Sequence, residues 1–236
     1  MRVAALIPAY QAAAQLGDVL VRLGALSPAP RMLVVDDGSR DATAQVAREF
    51  GADLLPFAGN RGKGAALVAG FRALAEFDAV VTLDADGQHP PECLPEFVRA
   101  AERGADVVLG VRARTPDMPP LRRFANGFSS GWSSLIAGHR IADSQCGYRL
   151  FRSAVLAQTP VGSGRYEVET EMAVRAARLG FRFAEVIVPT VYGTDSHLSP
   201  TRDVPRIVGT MLRLTLEGLL PPAAMRAARR ARKAAG

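Results

Sequence analysis

Cysteine is scarce in this chain of 236 residues, with Cys93 and Cys146 alone. They lie far apart and offer neither a disulfide framework nor zinc-ligand spacing, so a reducing, cytoplasmic setting is expected. Histidine is equally thin: His89, His139 and His197 cannot supply a histidine-rich metal site. No apolar run is long enough to span a bilayer. The longest candidate, Ile207–Leu220, holds about 14 residues and contains Arg213 and Glu217, where about 20 mainly apolar residues are needed. Nor is a secretory leader expected, because Arg2 opens directly onto the short run Val3–Ile7, which ends at Pro8. The chain is expected on a membrane surface at most, not through one.

What the chain does have is the make-up of one ordinary globular domain. With 48% hydrophobic and 22% charged residues it can bury a real core, which excludes a disordered chain or a collagen-like repeat. The net charge of +6 lies at one end. From Pro200 onward Arg202, Arg206, Arg213, Arg226, Arg229, Arg230, Arg232 and Lys233 oppose only Asp203 and Glu217, so the preceding residues sum to zero. A nucleic-acid reader more often carries its charge across a folded face, so no nucleic-acid partner is expected.

The first 110 residues alternate between two textures. Short apolar runs at Val3–Ile7, Met32–Val35, Leu54–Phe57, Ala79–Leu83 and Val107–Leu109 read as strands buried on both faces. Between them, Ala12–Leu23, Ala42–Phe50, Gly64–Phe77 and Glu92–Arg103 have helical spacing. Strand alternating with helix gives a doubly wound α/β unit whose ligands bind beyond the carboxyl ends of the strands. Past Arg112 the rhythm loosens. Thr115–Pro120 reads as a loop, Arg122–Ala137 as a helix, Gln145–Phe151 as a strand, Tyr166–Leu179 as a helix and Phe183–Val191 as a strand. Val204–Leu219 is an amphipathic helix closed by Pro221 and Pro222, and the Ala- and Arg-rich tail beyond is helical by propensity with nothing apolar enough to form a core. One domain is expected over 1–220, divided into halves 1–112 and 113–220, with a basic tail at 221–236.

Acidic residues end two of the strands. Asp36-Asp37-Gly38-Ser39 follows Met32–Val35, and taken alone is as well explained as a helix cap with a glycine turn. Asp84-Ala85-Asp86-Gly87-Gln88-His89-Pro90 follows Ala79–Leu83. Carboxylates two apart on a strand share a face, and two close carboxylates repel unless a cation intervenes. Oxygen ligands at such an edge suit Mg²⁺ or Mn²⁺ bridging the phosphates of a substrate. Between the two motifs, Gly59-Asn60-Arg61-Gly62-Lys63-Gly64 enters a helix, a phosphate-friendly arrangement that lacks the Walker pattern. The first strand runs into Ile7-Pro8-Ala9-Tyr10 rather than a glycine fingerprint, which disfavours a dinucleotide dehydrogenase. A nucleotide diphosphate with a metal is the expected ligand.

These stretches, with Asp143-Ser144-Gln145-Cys146-Gly147-Tyr148-Arg149 and Glu169-Thr170-Glu171-Met172, make the chain resemble the family 2 glycosyltransferases of GT-A fold. Within them it is most similar to the dolichyl-phosphate-mannose-synthase-like, polyprenyl-phosphate branch, over residues 3 to about 203. The resemblance implies a Rossmann-like, mostly parallel sheet flanked by helices, with the amphipathic helix and basic tail appended. It implies that Pro8, Tyr10 and Asp37 line the nucleoside pocket, with Lys63 beside them. Asp84 would contact the nucleotide and share the metal with Asp86 and Gln88. Arg112, Arg123, Arg149 and His197 would stand on the acceptor side. Two departures accompany it: Gln11 and Ala12 follow Tyr10 where the family commonly has Asn-Glu, and Ser196-His197 stands where Ser-Lys is common.

The resemblance implies an inverting transfer in which a divalent ion offsets charge on the departing diphosphate. A phosphate acceptor, with its second pKa near about 6, is already largely anionic and needs holding rather than deprotonating. A hydroxyl acceptor needs a base, for which Glu169 or Glu171 are the candidates and Glu171 is preferred from its motif position. The leading expectation is hexose transfer from a GDP-mannose- or UDP-glucose-type donor to a polyprenyl phosphate at the inner membrane face. The apolar residues of Ile207–Leu220 and the cations of the tail would provide peripheral membrane contact. Transfer to a glycan or small-molecule hydroxyl stays open, as does a non-catalytic domain that binds acidic polymers through its tail.

Overall fold

The computed structural model describes residues 1–113, 120–161, 168–189 and 200–235, with side chains at all of these except 120–125, 200–207, 233 and 235. The chain begins with three strand–helix units, β1 (Val3–Ala9), α1 (Ala13–Gly24), β2 (Arg31–Asp36), α2 (Thr43–Glu49), β3 (Asp53–Pro56) and α3 (Lys63–Ala73). Next come β4 (Ala79–Thr82), a short 3-10 turn at Pro91–Cys93, α4 (Leu94–Glu102), β5 (Val107–Arg112) and α5 (Pro120–Ala137). The remainder is β6 (Arg149–Arg152), α6 (Ser153–Gln158), α7 (Val168–Arg178), β7 (Phe183–Val188), α8 (Pro200–Leu219) and α9 (Ala223–Ala235).

The strands form one sheet in the order β3-β2-β1-β4-β6-β5-β7. All neighbours are parallel except β6, which runs antiparallel between β4 and β5. Side chains alternate across each strand, so β1 sends Ala5 and Ile7 to one face and Ala4 and Leu6 to the other. The first face packs Leu16, Leu20 and Phe97 from α1 and α4, and the second packs Leu67, Phe71 and Met172 from α3 and α7. Helix α3 lies so close that a Cβ on Gly70 would run into the Leu6 side chain.

Three sequence expectations are corrected. The strand expected over Gln145–Phe151 is ordered as β6 only from Arg149, because residues 145–148 form the irregular approach that brings Gly147 against Asp84. Helix α6 was not expected; it fills six residues between β6 and the segment before α7. The tail is not bare. Met225 is 3% exposed in the same core cluster as Leu214 and Phe181, and the Arg232 guanidinium lies 3.6 Å from the Phe181 ring centroid. Part of Thr115–Pro120, the start of the helix expected at Tyr166, and the end of the strand expected at Val191 fall outside the described residues. No helix among the described residues is long and apolar enough to cross a membrane.

Candidate active site

Because β1, β2 and β4 are parallel, Ala9, Asp36 and Thr82 end at the same edge of the sheet. Two turns lock together there. Gly38 has φ +77°, and a Cβ on it would meet the Gly59 and Asn60 backbone at 2.5–2.8 Å. Both oxygens of Asp37 accept main-chain N–H bonds, from Arg61 at 2.7 Å and Gly62 at 2.8 Å. Asp37, expected to line the nucleoside pocket, is buried, and its carboxylate shapes the glycine-rich turn. That turn starts α3 at Lys63. Pro8 is buried within β1 opposite Val35, so it shapes the strand end, while Tyr10 is 51% exposed just beyond it. Gln11, standing where the family has Asn, accepts N–H bonds from Arg40 at 2.7 Å and Asp41 at 3.2 Å and so braces the turn after β2.

Lys63 points back to the end of β4. Its Nζ lies 2.6 Å from Asp84 Oδ1 and 3.2 Å from Glu169 Oε2, the latter carried by the first turn of α7. Burial alone would weaken the ammonium, but the Asp84 and Glu169 charges more than reverse this and hold its pKa above the ordinary lysine value. Burial likewise opposes ionisation of Asp84, yet Lys63 prevails and keeps it below the usual carboxylate range. Asp86 moves the other way, raised by burial and then by the Asp84 charge. Its Oδ1 accepts the Gln88 N–H at 3.0 Å across Gly87, which has φ +69°.

No group of three His, Cys, Asp or Glu side chains converges as a metal cage among the described residues. A magnesium-like ion does not require one, since it is commonly held by one or two carboxylates plus substrate phosphates. Asp86, whose charge is disfavoured by burial and by Asp84, is the carboxylate that a cation would relieve. With Asp84 engaged by Lys63, Asp86 and Gln88 are the oxygen donors that fit such an ion. His89 is buried, its Nε2 3.7 Å from Cys146 Sγ, and burial lowers its pKa.

Arg112, expected on the acceptor side, forms a two-pronged pair with Asp143, at 2.7 and 2.9 Å. Burial works against the Asp143 charge, but that pairing keeps its pKa low. Strand β6 runs antiparallel to both β4 and β5, so Arg112 at the end of β5 lies at the same edge of the sheet as Asp84. Two expectations fail here. Arg149 does not face an acceptor: it is 1% exposed and donates to the carbonyls of Cys146 at 2.8 Å, Ser144 at 2.6 Å and Glu169 at 2.5 Å. Glu171 is not the site-facing acid either. It is 1% exposed, bonded to Arg175 and 2.8 Å from Arg213, whereas Glu169 reaches Lys63. The Glu171–Arg175 spacing of four residues on a helix was the available signal that Glu171 has an internal partner. The Arg123 side chain and His197 lie outside what is described. A separate groove of about 650 Å³, lined by Met1, Phe77, Glu102 and Arg152 among others, opens at the amino edge of the sheet, away from all of these groups.

Residues 4–158 match the family described as Glycosyl transferase family 2. The chain belongs to this family. Among family 2 relatives, the undecaprenyl-phosphate mannosyltransferase of Micrococcus luteus is 34% identical over 206 residues, covering 81% of this chain and 84% of that protein. The polyprenol monophosphomannose synthase of Mycolicibacterium smegmatis is 32% identical over 200 residues, covering 78% and 76%. The likeness to the dolichyl-phosphate-mannose-synthase-like branch therefore holds. The fold is GT-A. It matches a structure of glucosyl-3-phosphoglycerate synthase from Mycobacterium tuberculosis in complex with Mn²⁺, UDP and glucosyl-3-phosphoglycerate with a TM-score of 0.66 and 21% identity, over 92% of this chain and 78% of that one.

Proposed function

We propose that this family 2 glycosyltransferase moves a hexosyl group from a nucleoside-diphosphate sugar to a polyprenyl phosphate at the cytoplasmic membrane face, with inversion and with Mg²⁺ or Mn²⁺. The observation that carries the reading is the meeting of Asp84, Asp86 and the Lys63 ammonium at the carboxyl edge of the parallel sheet. The names of the two polyprenyl-phosphate relatives support the acceptor and favour mannose as the sugar.

The chemistry follows from the charges. A divalent ion on Asp86 and Gln88 would neutralise the charge that builds on the departing diphosphate. Lys63 and the N–H groups at the start of α3 present positive potential to the same phosphates. Tyr10 offers an aromatic face at the end of β1 against which a base can stack. Arg112, oriented by Asp143, brings a positive charge to the acceptor phosphate. No general base is required of a phosphate acceptor, in keeping with a Glu171 that is committed to Arg175 and Arg213.

Membrane contact would come from the outer side of α8, where Leu212, Leu216 and Leu219 are exposed, with the arginines of α9 beside it. The test is a small nucleotide-sugar panel assayed with Mg²⁺ or Mn²⁺, with and without polyprenyl phosphate. Lipid-dependent turnover of one donor, reduced at least about 100-fold in Asp86→Ala and abolished by chelator, is the expected result. Turnover of a lipid-free hydroxyl acceptor would overturn the acceptor assignment, and absence of donor binding would overturn the whole reading.

A further inference from the structure

Lys63 carries three N–H donors on one ammonium, and two of them are fixed by carboxylates on different elements, Asp84 after β4 and Glu169 in α7. Two anchors fix the position of Nζ, and with it the direction of the third donor. A single anchor would leave the ammonium free to swing about one oxygen. The second anchor, Glu169, is itself held in place. Its residue is 8% exposed, its main-chain carbonyl accepts from the buried Arg149, and the neighbouring Thr170 hydroxyl donates to Ser144 O at 3.0 Å.

Glu169 is also in a costly state. Its Oε2 meets Lys63, but its Oε1 is buried with no hydrogen-bond partner among the described residues. A buried carboxylate oxygen without a partner destabilises a fold. A residue kept for stability would not be left so. We propose that Glu169 is a positioning residue for the donor: it holds the Lys63 ammonium so that its remaining N–H is aimed at a diphosphate oxygen when the metal-bound nucleotide occupies the edge beside Asp84 and Asp86. This rests on the donor assignment above and adds to it a residue from α7, the acceptor half of the chain.

The arrangement makes an unusual prediction of sign. Removing a negative charge beside an anionic ligand should tighten binding if charge alone matters. Loss of an aimed charge-assisted hydrogen bond should weaken it instead. In Glu169→Gln, titration calorimetry with UDP and GDP, each with and without Mn²⁺, should show about tenfold weaker binding of whichever nucleotide the wild type binds. The melting temperature should be unchanged, because the amide keeps the shape of the side chain. In a double-mutant cycle, Lys63→Met should weaken binding, and Glu169→Gln should cost less than about twofold more in that background.

Unchanged or tighter nucleotide binding in Glu169→Gln overturns the proposal. So does a melting temperature that falls with the affinity, which would make the role structural, or an additive double mutant, which would bypass Lys63. Wild-type protein that binds neither nucleotide overturns the donor assignment and this inference together. Wild-type binding with an unaffected Glu169→Gln overturns the inference alone.

Discussion

Arg149 shows what a buried cation can do without a carboxylate partner. Its guanidinium gathers the Ser144 and Cys146 carbonyls of the approach to β6 and the Glu169 carbonyl of α7, and so holds the first turn of α7 against the strand ends. Arg149→Met would remove three charge-assisted hydrogen bonds, at about 1–3 kcal/mol each, with only Ser144 O keeping the Thr170 hydroxyl as a further side-chain donor. Chemical denaturation should therefore show a loss of about 3 kcal/mol or more, whereas an acceptor-binding role would raise the KM for polyprenyl phosphate at unchanged stability. From sequence, Arg149 and Glu171 are motif residues like any others, and a motif does not say which way a side chain turns. Asp84, Asp86 and Lys63 were legible because their place at a strand end or helix start fixes their direction by period alone. Arg149 was not, because its three acceptors are set by a loop path that carries no periodic signal. The bracing role of Asp37 was not legible for a related reason: the turn it closes, at Arg61 and Gly62, is distant in sequence.

Among elements, the two turns at the ends of β2 and β3 form the part of the site most sensitive to a single methyl group. Gly38 combines a positive φ with backbone contact to Gly59 and Asn60, so neither its own dihedral nor its neighbour can give. Gly38→Ala is expected to cost about 2 kcal/mol of stability. It should also displace the 59–62 turn that starts α3, and with it Lys63. Nucleotide affinity should fall in the same variant, whereas Gly24→Ala, in open space at the end of α1, should leave it unchanged. Calorimetry on both variants checks this. The parallel units β1–α1–β2–α2–β3–α3–β4 were readable because buried strands and amphipathic helices repeat with distinct periods. The four-residue β6, antiparallel between two strands of the main direction, was only half read: its apolar core was seen, but its length is decided by pairing with β4 and β5.

At the scale of the whole molecule, the tail joins the domain to its surroundings through two faces of one helix. Met225 is buried and Arg232 covers Phe181, while Arg226, which donates to the Pro221 carbonyl, and Arg230 are exposed. Sequence composition revealed the charges but not the docking, since one methionine among alanines does not read as a core. The two faces should be separable by mutation. Truncation after Leu220 removes the buried Met225 and uncovers Phe181, and should lower stability by about 2–3 kcal/mol. Arg226→Glu/Arg230→Glu leaves the packed face alone and should keep the wild-type melting temperature. Each cation near an anionic surface contributes about 1 kcal/mol, so the double reversal should weaken binding to phosphatidylglycerol vesicles by at least about tenfold. Transfer to a polyprenyl phosphate dissolved in detergent should persist in the double variant, because neither arginine is near Asp86 or Lys63 in the fold. Equal loss of detergent activity in the double variant would mean that the tail acts on the catalytic edge itself. Unchanged vesicle binding would leave the exposed leucines of α8 as the membrane-facing element on their own.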